Sequence, residues 1–201
     1  ASCLVGSEMC IRDRFREEQK LLLLGNDVSS KYTRRDAGEY EKMAEYILQM
    51  LLGKKGNYLV FFPSYRMMED ICDVLEEKLE KSNSRVQCLY QTPSMSEQER
   101  EEFLEQFQEE GEKTLAGFCV MGGIFSEGID LAGKKLIGAA IVGTGLPQVN
   151  CEREILKGYY DEKGEQGFDY AYRYPGMNKV LQAAGRVTVS YTHLRAHETR
   201  G

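Results

Sequence analysis

The chain has no tryptophan, two histidines and four prolines in 201 residues. Both histidines, His193 and His197, fall within the last ten positions, so a Ser-His or Cys-His nucleophile would have to rest on the extreme end of the chain and is set aside. Cys3, Cys10, Cys72, Cys88, Cys119 and Cys151 form no CxxC pair. That excludes the usual frameworks for structural zinc and for iron–sulfur clusters and leaves free thiols of a cytosolic protein. No apolar run reaches the ~18 residues of a membrane span. Basic surplus is absent too: 26 Lys and Arg stand against 32 Asp and Glu, a net charge of -6. This argues against strong autonomous binding of nucleic acid, though not against a local basic strip. The N-terminus lacks a basic n-region, so it does not read as a signal peptide, and a cytoplasmic location is expected.

What is present is one domain with two foreign-looking ends. "ASCLVGSEMCIRDR" (1–14) and "VSYTHLRAHETRG" (189–201) show no helical or strand period. Both resemble translated sequencing-adapter sequence joined to a genuine reading frame, and both are taken as non-native. The body, 15–188, alternates strands and helices. "NYLVFF" (57–62) is a strand buried on both faces, followed by strands at 85–90, 115–121 and 135–142. Helical spacing covers 39–52, 67–81, 96–110, 151–164 and 177–186, and Ser96 with Glu99 makes a capping box. "LLLLGNDV" (21–28) reads as a short strand or as chain packed on the domain, and 29–36 as a polar, basic connector. The rhythm predicts a three-layer α/β fold with a mainly parallel sheet.

In such sheets ligands bind beyond the carboxyl ends of the strands. Three segments there could carry chemistry. "FFPSY" offers Ser64 as a hydrogen-bond donor to a phosphate and Tyr65 as a stacking ring; the plain alternative is a turn with Ser64 as an N-cap. "GGIFSEGIDLAG" (122–133) brackets Glu127, Gly128 and Asp130 with glycines that permit close backbone approach. It lacks the GxxxxGK[ST] order of a P-loop, and a tight turn with solvated carboxylates is its alternative. In "QAAGR", Gln182 and Arg186 lie four apart on one helix face, with Gly185 beside them. An arginine there could reach a γ-phosphate, and Gln182 could orient a water; an exposed polar pair is the alternative.

Taken together, these segments make a pattern. From "LLLLGNDVSSKYTRR" through "QAAGRV" the chain resembles the second motor domain of DinG-like helicases, relatives of XPD, in superfamily 2. "YLVFFPSY" resembles motif IV, "GIFSEGIDLAG" motif V and "YPGMNKVLQAAGR" the run into motif VI. The resemblance implies a RecA-like fold and a motor that uses ATP and Mg2+ in the complete protein. It also implies single-stranded DNA and a first motor domain of the same parent protein as partners. Glu127 and Gly128 then sit at the nucleotide–DNA coupling loop, and Asp130 contacts the ribose or its network. Gln182 lies near the hydrolytic water, and Gly185 and Arg186 beside the phosphates. Ser64 and Tyr65 are candidates on the DNA side, and no metal ligands are expected within this segment.

The family's motif VI runs QxxGRxxR, but the second arginine position here holds Val189, the first residue of the foreign tail. Losing an arginine finger can cost ~10³-fold or more in turnover. A strand expected after motif VI is lost with it. Nothing matches a Walker A lysine loop or a DEAH-type box, which belong to the first motor domain, so this chain alone is expected to be inactive. The competing reading is a non-catalytic nucleic-acid-binding or docking module with a degenerate motor fold. An unrelated Rossmann-like transferase is disfavoured, because "GNDVSS" supplies no glycine loop after a first strand.

Overall fold

Residues 58–62 carry largely apolar side chains at consecutive positions, a run that suits a strand covered on both faces. In the computed structural model they belong to β1 (Asn57–Phe62), whose six residues are all buried. The structure describes residues 21–107, 111–125 and 136–188. Three further strands follow: β2 (Val86–Tyr90), β3 (Thr114–Val120) and β4 (Leu136–Ile141). They pair in parallel in the order β2-β3-β1-β4, with Val60 opposite Phe118 and Ala140.

Among the described residues there are five α-helices: α1 (Ala37–Gly53), α2 (Tyr65–Lys81), α3 (Glu97–Glu105), α4 (Cys151–Glu162) and α5 (Tyr174–Thr188). The pleat divides the core into two layers. Tyr58, Val60, Phe62, Phe118 and Val120 face α1 and α2, where Ile47, Leu51, Ile71 and Leu75 meet them. Leu59, Phe61, Cys119 and Met121 face the other way, toward Phe103, Phe107, Phe125 and Ala183. Gly117 makes the second layer possible, since a Cβ there would stand 2.7 Å from Phe107 and 2.9 Å from Leu59. The result is the three-layer α/β fold with a parallel sheet that the strand–helix rhythm predicts.

Local signals explain most helix starts. Ser96 and Glu99 form the reciprocal capping box, and Asp36 and Asn150 cap α1 and α4. Three expectations need correction. Residues 21–28 form no strand: Leu21 to Leu24 are exposed, and only Val28 packs against the core. Helix α3 stops at Glu105 rather than 110, and 108–110 lie outside the described residues. Helix α5 starts at Tyr174 and includes Pro175 and Gly176, which the sequence reading placed before it. A π turn, Asp169–Arg173, feeds directly into it. The end segments 1–14 and 189–201, with the position expected for a further strand, lie outside the described residues. Among the described residues no helix is long and apolar enough to cross a membrane.

Candidate functional site

Ser64, Tyr65, Gln91 and Gly122 lie at the carboxyl ends of the strands. Where β1 ends, Ser64 is extended and caps α2, its Oγ accepting from the Met67 N–H at 3.3 Å. The turn reading of "FFPSY" therefore holds for local structure. Capping uses an acceptor lone pair, and the Ser64 O–H remains a donor. Tyr65 is half-buried, packs against the first core layer, and its hydroxyl donates to the Thr92 carbonyl at 3.4 Å. Burial, and then the nearby Cys119, hold its phenol above the ordinary value, with a hydrogen bond from Gln91 acting the other way. Burial also pushes the Cys119 thiol up, so both groups stay neutral.

Gln91 is a residue that sequence reasoning missed. It is 2% exposed and stands just past β2. Its Nε2 donates to the Tyr65 hydroxyl at 2.8 Å, and its Oε1 accepts from the Val120 N–H at 2.9 Å. Its own N–H donates to the Phe118 carbonyl at 2.9 Å. A Cβ on Gly123 would come within 2.8 Å of the Gln91 amide nitrogen, so the glycine admits the amide. One side chain thus links the loop after β1 to the exit of β3. Its only sequence signal is a glutamine directly after the apolar run ending at Tyr90.

The glycine-rich loop is described as far as Phe125, which is buried and stacks on Phe103 at 4.4 Å. Gly122 has φ +73°, a left-handed conformation that favours glycine. Glu127, Gly128 and Asp130 lie outside the described residues. Helix α5 passes close to this exit. Ala183 and Val180 pack into the second core layer, while Gln182 is exposed. Gly185 is half-buried, and among the described residues a Cβ there would meet nothing within 4 Å. The backbone of Arg186 continues the helix; its side chain lies outside the description.

The basic connector reaches the same edge. Gly143, just past β4, has φ +75°, and Ser30 Oγ would lie 2.5 Å from a Cβ there. The adjoining Arg34 pairs with the buried Glu39 at 3.2 Å, and the Ser29 N–H donates to the same carboxylate at 2.6 Å. Among the described residues no group of three His, Cys, Asp or Glu side chains is assembled for a metal ion.

Comparison with known proteins bears on the family and the fold. The family described as "Helicase C-terminal domain" matches residues 47–190. The ATP-dependent DNA helicase XPD of Sulfolobus acidocaldarius is 29% identical over 169 residues, 81% of this chain and 28% of that protein. A probable ATP-dependent helicase of Methanocaldococcus jannaschii is 28% identical over 154 residues, 74% of this chain and 22% of that protein. The chain therefore spans about a quarter of the length of these relatives. Among solved structures, apo XPD superposes with a TM-score of 0.59 at 23% identity, covering 80% of this chain and 31% of that one. A second XPD helicase structure gives 0.59 at 22% identity, covering 81% and 28%. These two likenesses bear on the fold, and they agree with a RecA-like domain. With most of its length matched by the family and its motifs in the family's order, the chain belongs to the helicase C-terminal domain family, as an XPD/DinG-like helicase domain of superfamily 2.

Proposed function

We propose that the native body of the chain, 15–188, is the second lobe of an ATP-dependent DNA helicase, closing with a first lobe over ATP and a single DNA strand. The observation that carries this reading is that Gln91 joins the Ser64–Tyr65 loop to the Gly122–Gly123 exit of β3, against which Lys179 of helix α5 is laid. A DNA-contacting loop and a nucleotide-contacting loop tied by one buried amide suit a machine in which nucleotide state alters grip on DNA. Tyr65 offers a ring for base stacking and Ser64 a donor to the backbone. Glu127 and Gly128 serve the coupling loop, Asp130 the ribose, and Gln182, Gly185 and Arg186 the water and phosphates. Mg2+ would accompany the nucleotide and be held mainly by the first lobe. Unwinding follows from opening and closing of the lobes. Alone, the chain binds nucleotide weakly at most and does not turn it over, because half the cleft is missing.

The test uses the purified chain at low salt and a thymidine oligonucleotide carrying 5-iodouracil. Photo-crosslinking is expected at Tyr65, and Tyr65→Ala is expected to weaken binding about tenfold, the scale of one stacked base. Tyr65→Phe keeps the ring and should bind nearly as the parent does. A chain that does not bind the oligonucleotide, or that releases phosphate from ATP briskly without a partner, contradicts the proposal.

A further inference from the structure

One cation at the carboxyl edge has no role in the site as described so far. Lys179 lies on α5, three residues before Gln182 and seven before Arg186. That spacing puts the three on one stripe of the helix. The side chain is half-buried and runs against Gly122, two residues past the end of β3. A Cβ on Gly122 would lie 3.1 Å from Lys179 Cε and 3.2 Å from Nζ. Glycine at 122 thus serves both its own backbone, at φ +73°, and the lysine stem laid across it. Among the described residues no carboxylate is within ion-pair distance of Lys179. A lysine that is half-buried and has no such carboxylate among the described residues offers its charge to an incoming anion. Lysine suits a phosphate as a point charge that needs no bidentate fit.

We propose that Lys179 is a phosphate-binding residue, extending the Gln182–Arg186 stripe by one turn to the start of the glycine-rich loop. The inference rests on the motor-lobe reading above. The phosphate belongs either to the nucleotide or to the DNA backbone, and the experiment separates the two sources.

The chain and its Lys179→Ala and Lys179→Gln variants are titrated at low ionic strength with tripolyphosphate, a non-hydrolysable ATP analogue and an oligothymidine. Thermal melts check that the variants are folded; Lys179→Gln keeps the stem over Gly122 should the alanine variant melt early. A nucleotide role predicts about tenfold weaker binding of tripolyphosphate and the ATP analogue, with the oligonucleotide unaffected. A backbone role predicts about fivefold weaker oligothymidine binding and a logarithmic salt slope reduced by about one. Either outcome upholds the assignment. Folded variants that match the parent chain on all three ligands overturn it while leaving the motor-lobe reading intact. A parent chain that binds none of the three overturns both.

Discussion

Strand β1 and helix α4 both carry several apolar side chains, yet the strand buries every residue and the helix buries none. Phe61 and Phe62 are fully enclosed by two helical layers. Ile155 and Tyr159 of α4, by contrast, are 68% and 50% exposed. Helix α4 is held instead by directed contacts to the segment that follows it. Arg153 donates to the Ala171 carbonyl at 2.7 Å, Tyr172 to Glu154 at 2.6 Å, and the Gly167 N–H to Asp161 at 2.8 Å. Tyr160 and Tyr170 stack with centroids 4.0 Å apart. Burial makes the sheet an unyielding frame, because close-packed interiors tolerate little change of volume. A segment secured by a few hydrogen bonds and ring contacts yields at far lower cost.

Substitutions can break this contrast or sharpen it. Phe61→Ala should cost about 3–5 kcal/mol, read as a shift in denaturant midpoint with the slope preserved. Gln91→Leu should cost about 1–3 kcal/mol, because it strands the Val120 N–H and removes the bond to Tyr65. Tyr172→Phe should cost about 0.5–1.5 kcal/mol, the net worth of one hydrogen bond. Ile155→Ala should lie within about 0.5 kcal/mol of the parent chain. If Ile155→Ala proved as costly as Phe61→Ala, the distinction between buried frame and surface-held segment would be wrong.

Periodicity made the frame legible. The run at 57–62 and the stripes of α1 and α2 read correctly because a single rule, apolar side chains toward the core, decides their placement. The misreadings arise where another force prevails. Leu21 to Leu24 carry the composition of a strand, but no neighbouring strand of the described sheet pairs with them. Pro175 and Gly176 look like a helix boundary. Helical backbone runs on from the π turn, however, so Pro175 lies inside a continuous helical run just after the widened ring, and Gly176 packs where a Cβ would stand 2.8 Å from the Thr144 carbonyl. At the candidate site, Ser64, Tyr65, Gln182 and Gly185 could be named from motifs, whereas Gln91 and Lys179 could not. Their roles depend on which strands and helices become neighbours, and that information lies in the fold.

The π turn before α5 carries a further implication. It takes one more residue per closed ring than an α turn does. Each residue advances an α-helix by about 100°, so the turn at Asp169–Arg173 sets the angular phase at which every later side chain leaves the helix axis. Deleting one residue there would preserve the helix and all its motif letters, yet rotate Ala183 out of its socket and swing Lys179 off the glycine. The chain thus keeps the faces of its last helix in register by an indexing device placed upstream of them.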